Sequence, residues 1–508
     1  MQSVNDVLNV NLQNRRDVKA QEDGCLRSES PKEVQQNQSV ERGGTLRTEI
    51  IRLLGQCDVG SQPSIRPRPI NCPIPLTRFQ MWLWNGLENG SKPSVRGVAV
   101  AFRVVGRLDI GSLKASLNFV VRRHEALRTR FVAVGNVPRQ KIVDHDNFDI
   151  DIIHSDSVPA LAGSAKAALF AQKFASELVS LSSDPLFKAG LLRLSDDEHI
   201  LIFSLDHIIT DSLSNSIISR EIWTLYNQAE QGQPLSLPEL PVQFADYAVW
   251  QEWTYEAWRQ SHEKYWRQKL LDAPCTQVPV DTGVPQRNGE VGALLHVDFG
   301  KPLSARLRQI ARSKRVTVSL AMLTIYIAVM SRWCNQQDVV IGMLDNGRWC
   351  SQLVDIVGFL VNMLFLRVRV TPADSFQNLL EKVAEEYYSA CDHQDFNRVM
   401  VDIQGCIPSG QWLEFNWLDT DWLKCPGGPV RNIDQLRIEP FSFDRTIVAY
   451  KLNAWFSDTS SGIGAMLGYN PGLVAESTIS KVGRNLRHFS EEFAARPTTR
   501  LTSLQMVS

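Results

Sequence analysis

Side chains suited to acid–base chemistry stand in the segment from Leu201 to Asn215, which has the sequence LIFSLDHIITDSLSN. His207 ends an apolar run, and histidine, with a pKa near ~6.5, takes up and releases protons at neutral pH. Asp211 lies four residues later, where a carboxylate could orient the imidazole. The pattern predicts an acid–base centre at His207.

The H-x-x-x-D spacing alone is not specific, because a second copy occurs at His145 and Asp149. That copy lies in the polar stretch VDHDNFDID. His207, in contrast, follows a run of strand-forming residues and precedes a helical pattern. The surrounding elements therefore favour His207 over His145.

Alternation along the strand from Ile200 predicts that His207 shares a face with Leu201, Phe203 and Leu205. Asp206 is predicted to point to the other face. The residues alone leave two alternatives open. His207 could be a hydrogen-bonded core histidine. Asp211 could be a helix N-cap, a role that Ser212 and Ser214 suit equally well.

Strand and helix signals are mixed from Pro73 onward and predict an α/β fold with helices packed on mixed sheets. We expect strands at 97–105, 189–194, 200–205, 338–344 and 363–370. We expect helices at 110–123, 160–181, 213–230, 246–271, 302–314 and 316–333. A Pro-rich link over 232–241 separates the halves, which predicts lobes over residues 69–240 and 241–508.

Residues 1–68 contain no aromatic residue and are rich in Asn, Gln, Ser, Arg and Glu, so we expect a disordered extension. A segment that docks a partner protein is the alternative. The N-terminus has no apolar signal-peptide core, and no apolar run is long enough to cross a bilayer. We therefore expect a cytoplasmic protein that contacts no membrane.

Composition and motifs narrow the chemistry further. A formal net charge of −1 argues against a nucleic-acid partner. The nine scattered cysteines include no C-x-x-C pair, which is typical of reduced thiols rather than of a zinc site. No G-x-S-x-G elbow, phosphate-binding loop or dinucleotide fingerprint follows a strand, and no histidines pair at metal-ligand spacing. The sequence predicts no metal and no bound cofactor.

Eight segments resemble, in order, the motifs of the condensation domains of non-ribosomal peptide synthetases, in the chloramphenicol-acetyltransferase-like superfamily. Two of them are RHEALRTRF, similar to R-H-E-x-L-R-T-x-F, and DHIITDS, which takes the place of H-H-x-x-x-D-G. The eight segments are Leu76 to Trp82, Arg123 to Phe131, Asp206 to Ser212, Asp246 to Gln251, Tyr265 to Leu270, Asp338 to Arg348, Val357 to Arg367 and His393 to Phe396.

The resemblance implies two chloramphenicol-acetyltransferase-like lobes that form a V-shaped pseudodimer with a central tunnel. It implies that an acyl or aminoacyl thioester on the phosphopantetheine of a carrier protein reacts with an amine acceptor, free or carrier-bound, to give an amide. Because no adenylation or carrier module follows, we expect a free-standing enzyme that uses acyl or peptidyl carrier proteins in trans.

The family's functional histidine corresponds to His207, which would accept the amine proton or stabilise the tetrahedral intermediate. The resemblance makes Asp211 structural, paired with an arginine of the other lobe, for which Arg348 is the candidate. Arg128 would support the active-site strand and turn, with a surface salt bridge as the alternative. Asn416 resembles a residue that lines the family's tunnel.

Three departures from the family pattern bear on activity. Asp206 replaces the first histidine, which alternation turns away from the tunnel. Ser212 replaces the glycine and could narrow the tunnel or change the acceptor. The Pro-Phe-Glu that follows His-Gln-Asp is missing. Two alternatives to amide formation therefore stand: ester formation with an alcohol, and a non-catalytic platform that recruits carrier proteins.

Overall fold

The computed structural model describes residues 64–88, 97–144, 148–154, 163–177, 180–183, 185–274, 276, 278–281, 292–393, 413–418, 431–433, 436–441, 443, 452–459 and 462–507. Within these ranges the strands form two six-stranded sheets and one three-stranded sheet. The small sheet has the order β1–β4–β3, with β1 at Ile74–Pro75, β3 at Thr129–Val134 and β4 at Val137–Ile142.

The first large sheet carries the segment that contains His207. Its strands are β2 (Gly97–Val105), β5 (Ile150–His154), β6 (Phe187–Ser195), β7 (Glu198–Asp206), β12 (Arg431–Ile433) and β13 (Leu436–Pro440), in the order β12–β13–β2–β7–β6–β5. Strand β7 lies in the middle and pairs antiparallel with β2 and β6. Its central position explains its run of apolar residues, which are buried on both faces.

Helices accompany this sheet. They are α1 (Arg78–Glu88), α2 (Ile110–Arg123), α3 (Gly163–Ser176), α4 (Ser212–Glu230) and the long α5 (Phe244–Leu270). Helices α2 and α4 pack on each other and bury one apolar core with β2 and β7. His124, at the end of α2, is 1% exposed, and its Nε2 lies 2.7 Å from Oε2 of Glu221 on α4. This contact links the two helices.

The second large sheet has the order β10–β9–β11–β14–β15–β8. Its strands are β8 (Ala293–Asp298), β9 (Asp338–Asp345), β10 (Asn362–Arg369), β11 (Leu413–Leu418), β14 (Leu452–Thr459) and β15 (Gly462–Tyr469). Helices α6 (Lys301–Ser313), α7 (Val318–Trp333), α8 (Phe376–Cys391) and α9 (Glu476–Ala495) pack with it around the larger apolar core. Strand β11 pairs parallel with both β9 and β14.

The second half of the chain also enters the first lobe. Strand β13 pairs antiparallel with β2, and residues Leu353 to Leu360 contribute apolar side chains to the core of the first lobe. Phe79 of α1 packs against both cores. The two lobes are thus joined by shared strands and shared core residues.

The predicted elements agree with the structure to within a few residues at most ends. The helix expected over 160–181 is observed at Gly163–Ser176. The predicted extension was drawn too long, because Ile65 is 1% exposed and its backbone N–H donates to Gln352. Residues 1–63 lie outside the described residues, and the lobe boundary at 240/241 stays a prediction.

No single helix in the described ranges is long and apolar enough to cross a membrane, although α6 and α7, bent by 106°, pass that test as a pair. The same ranges hold no cluster of His, Cys, Asp and Glu that could bind a metal ion.

Candidate active site

His207 lies in a tight turn at the end of β7. The strand stops at Asp206 because the Asp206 carboxylate accepts a hydrogen bond from the backbone N–H of Ile208 at 3.1 Å and caps a short 3₁₀ turn over His207–Ile209. Gln80 of α1, 0% exposed, donates its side-chain amide to the carbonyl of Ile208 at 2.8 Å. The turn is therefore fixed both by the Asp206 carboxylate and by the side-chain amide of Gln80.

The hydrogen bond of His207 sets its tautomer. Its Nδ1 lies 2.7 Å from the carbonyl oxygen of Thr210. A carbonyl only accepts, so Nδ1 carries the proton and Nε2 keeps its lone pair in the neutral ring. His207 is thus oriented by a backbone carbonyl, and not by Asp211 as the spacing alone predicted.

An aromatic series connects His207 to the surface. The His207 ring lies 4.7 Å from the ring of Phe359, which stacks on Phe79 at 4.9 Å. Phe79 in turn stacks on Trp82 at 5.3 Å, and Trp82 is 41% exposed. His207 itself is half-buried, so it lies at the inner end of an aromatic path along the junction of the lobes.

Asp211 and Arg348 form a buried two-point ion pair between the halves of the chain. Arg348 Nη1 and Nη2 donate to the two carboxylate oxygens of Asp211, each at 3.0 Å. Asp211 also accepts from the backbone N–H groups of Ser214 at 2.8 Å and Leu360 at 3.1 Å. It is the N-cap of α4, so the N-cap alternative and the predicted pairing with Arg348 both describe its contacts.

Close backbone approaches surround this ion pair. Ser214 Oγ accepts from Gly358 N at 3.0 Å and donates to Gly358 O at 2.9 Å, while Arg348 donates to Ser214 Oγ at 2.9 Å. Gly347 has φ +67°, and a Cβ there would lie 1.8 Å from the carbonyl of Leu360. Only glycine fits that position.

Comparison with known proteins places this architecture in a family. A family model, the condensation domain, matches residues 72–508. The chain belongs to the condensation-domain family. The predicted mixed α/β fold is confirmed, because solved structures of condensation domains share the fold of this chain.

The similar proteins are non-ribosomal peptide synthetases. The chain is 28% identical over 443 residues to a linear gramicidin synthase of Brevibacillus parabrevis, in a match that covers 86% of this chain and 9% of that protein. It is 30% identical over 467 residues to phosphinothricin tripeptide synthetase PhsC of Streptomyces viridochromogenes, with 90% and 42% covered. It thus spans less than half the length of these relatives.

Among solved structures, the X-domain from teicoplanin biosynthesis has a TM-score of 0.74 and 21% identity, covering 88% of this chain and all of that one. The complex of the X-domain and OxyB, from the same biosynthesis, matches with a TM-score of 0.73 and 21% identity over 89% of this chain and all of that one. At this identity the likeness concerns the fold.

Ser212 and Arg128 are two further residues of this condensation domain that the family resemblance singled out. Ser212 is the first residue of α4 and half-buried, one residue after Asp211. Arg128 donates to the backbone carbonyl of Val143 at 3.2 Å, and its described contacts include neither the His207 turn nor an ion pair. The role predicted for Arg128 in supporting that turn therefore finds no contact.

Asn416 lies on β11 of the second sheet, in a cluster that the sequence reasoning missed. Its side-chain N–H donates to Glu414 at 3.0 Å, and Asn453 of β14 donates to the other Glu414 oxygen at 2.5 Å. Burial raises the pKa of Glu414 to about 7, while the hydrogen bond from Asn416 acts in the opposite direction. The available signal was an acidic residue between Leu413 and Phe415 in an apolar strand.

Proposed function

We propose that this condensation domain catalyses amide formation between a carrier-bound acyl thioester and an amine, with His207 Nε2 as the proton acceptor. The observation that carries the proposal is the hydrogen bond between His207 Nδ1 and the Thr210 carbonyl. It leaves Nε2 as the ring nitrogen able to accept a proton. Family membership supports peptide-type condensation as the reaction class.

The bond changes balance without an outside oxidant or metal. The amine nitrogen attacks the thioester carbonyl carbon and forms the C–N bond of a tetrahedral intermediate. His207 Nε2 takes the proton from that nitrogen. The C–S bond then breaks, and the proton passes to the departing sulfur, which gives an amide and a free pantetheine thiol. An alcohol in place of the amine would give an ester by the same steps.

Asp211 and Arg348 would position this chemistry rather than take part in it. Of the four hydrogen bonds to the Asp211 carboxylate, the one from Ser214 N–H caps α4, and the three from Arg348 and Leu360 fix the start of α4 against the other lobe. Because Thr210 and Asp211 are adjacent, fixing Asp211 also fixes the carbonyl that orients His207.

Docking of a partner protein without chemistry is a second candidate function. A structural neighbour, the X-domain, is seen in a complex with OxyB. The replacements Asp206 and Ser212 within the active-site motif are also compatible with a platform. The two candidates differ in whether His207 matters.

The test is product formation from separately supplied carriers, one loaded with an acyl thioester, and a panel of amines and alcohols. We expect amide product with the wild type and a loss of about 10²–10⁴-fold in rate for His207→Ala. His296→Ala, at an exposed histidine of β8, is the matched control and should keep the wild-type rate.

Equal rates for His207→Ala and the wild type would overturn the role of His207. If no carrier gives product, and the wild type and His207→Ala both bind carriers measurably, the non-catalytic platform would be favoured. Ester product in place of amide would change the acceptor class alone. Supplying the carriers as separate proteins also tests the expectation of a free-standing enzyme.

A further inference from the structure

A polar pair lies on the face of the second sheet opposite to its apolar core. Side chains alternate along β11, and Leu413 and Phe415 belong to the apolar core shared with the helices. Glu414 and Asn416 therefore point to the opposite face. Glu414 is paired in register with Asn453 on β14 and with Gly342 on β9.

Hydrogen-bond acceptors in this cluster are left without donors. The two amide groups, of Asn416 and Asn453, donate to the two oxygens of Glu414. The amide oxygens, Oδ1 of Asn416 and Oδ1 of Asn453, are buried and have no hydrogen-bond partner among the described residues. Buried polar atoms without partners are rare in folded proteins, and each calls for a physical reason.

Charge is also uncompensated in the cluster. Glu414 is 4% exposed, and no lysine or arginine of the described residues forms an ion pair with it. Buried carboxylates are ordinarily paired with a cation. Both residues paired in register with Glu414, Asn453 on β14 and Gly342 on β9, are neutral.

Burial, together with the nearby Cys334 and Glu414, raises the pKa of Tyr326 on α7 well above its ordinary value, so this phenol stays protonated and neutral. The cluster as a whole therefore combines one carboxylate and two free amide oxygens without a positive charge.

The cluster lies toward the end of the sheet that meets His207. Phe415 pairs with Met343 of β9, and Met343 precedes Arg348 by five residues, a span of at most about 17 Å. Asn416 is one residue further toward that end. Arg348 binds Asp211, and Phe359 on the same side contacts the His207 ring.

We propose that Glu414, Asn416 and Asn453 form a binding site for a cationic group, an ammonium or a guanidinium, on the substrate. Such a group supplies N–H donors, which the two amide oxygens lack, and a positive charge, which Glu414 lacks. An amine held as an ammonium by a carboxylate has no lone pair with which to attack a thioester. The group bound here is therefore a second basic group, such as a basic side chain, and not the nucleophile.

This inference rests on the proposed function for its substrate, but its test does not require turnover. The probes are L-lysinamide and L-norleucinamide, which share the α-amine and differ in the terminal ammonium. Calorimetric titration should show at least tenfold tighter binding of L-lysinamide to the wild type. The same preference is expected in the rates if the probes serve as acceptors.

Glu414→Gln should reduce this preference to less than about twofold, because it removes the charge and keeps the shape. Asp374→Asn is the matched control: it neutralises another buried carboxylate of the second lobe, one already paired with Lys382, and should keep the wild-type preference. Thermal unfolding of each variant establishes that it is folded, and Asn453→Leu replaces Glu414→Gln if the latter does not fold.

Equal affinities of the wild type for the two probes, or no binding of either, would overturn the inference and leave the cluster as a water site. A preference that survives in Glu414→Gln and Asn453→Leu would overturn it as well. A preference for L-lysinamide in a protein that makes no product would support the cation site and count against the proposed function alone.

Discussion

Two buried carboxylates, Asp211 between the lobes and Glu414 in the second sheet, have opposite surroundings. Asp211 is 0% exposed and meets a guanidinium at both oxygens as well as two backbone N–H groups. Glu414 is nearly as buried but meets two neutral amides whose own oxygens lack partners among the described residues. The described residues supply Asp211 with a cation, and they supply Glu414 with none.

The difference distinguishes a carboxylate that stabilises the fold, Asp211, from one that is proposed to bind a ligand, Glu414. A buried ion with a full set of partners fixes the parts of the chain that supply them, here α4 and the segment from Arg348 to Leu360. A buried carboxylate without a cation is costly in the absence of a ligand. A perturbed pKa at such a position is typical of functional sites.

The largest expected effect is on the Asp211 side of the comparison. Arg348→Ala removes the guanidinium and leaves the carboxylate of Asp211 buried and unpaired, so we expect a loss of about 3–5 kcal/mol in the free energy of unfolding. Urea denaturation measures it. Arg220→Ala is the control: its ion pair with Asp355 is about half exposed, and its loss should cost less than ~1 kcal/mol. Similar losses for both variants would contradict the structural role of Asp211.

The pH dependence of stability tests the Glu414 side. Burial raises the pKa of Glu414 to about 7, whereas an unfolded glutamate titrates near ~4.3. Between these values the folded state holds a proton that the unfolded state has lost, so the free energy of unfolding falls as pH rises from about 4 to 7. At about 1.4 kcal/mol per pKa unit, this contribution is of order 4 kcal/mol.

Glu414→Gln removes that contribution, so the variant should lose less stability than the wild type between pH 5 and pH 8. Urea denaturation at the two pH values measures the difference. Parallel curves for the two proteins would show that Glu414 does not titrate in this range. An added cationic ligand should reduce the loss in the wild type at pH 8.

A smaller effect is expected at the glycine beside Arg348. In Gly347→Ala, a Cβ in the left-handed region costs about 1–2 kcal/mol, and it also meets the carbonyl of Leu360. Gly135→Ala is the matched control, because Gly135 has φ +62° with nothing within 4 Å of the added Cβ. Gly347→Ala should therefore be less stable than Gly135→Ala by about 2 kcal/mol in the same assay. Equal losses would mean that the close approach is relieved at no cost.

The strand that ends at His207 could be predicted because its signals are local. An apolar run, a polar turn and a helical pattern follow one another within residues 200–230, and the helix begins at Ser212 with Asp211 as its cap. The pairing of Asp211 with Arg348 came from the family resemblance, since 137 residues separate the two. The partner of His207 could not be predicted, because Thr210 contributes a backbone carbonyl that any residue type would offer.

The Glu414 cluster could be predicted only in part. An acidic residue in an apolar strand is visible in the sequence, but its partner Asn453 lies on another strand 39 residues away. The register of β11 against β14 depends on the whole sheet. The resemblance that singled out Asn416 concerned a single residue, and it carried no information about Glu414.

The pairing of β13 with β2 has a consequence for how the protein is made. Phe102 of β2 pairs with Pro440. The first sheet therefore cannot be completed until residues about 340 positions later have been synthesised. Until then β2 is an open edge, and such edges invite pairing with other chains. Synthesis of this protein therefore includes a long interval in which the strand beside β7 is unprotected, and a fragment that stops at residue 240 would remain in that state.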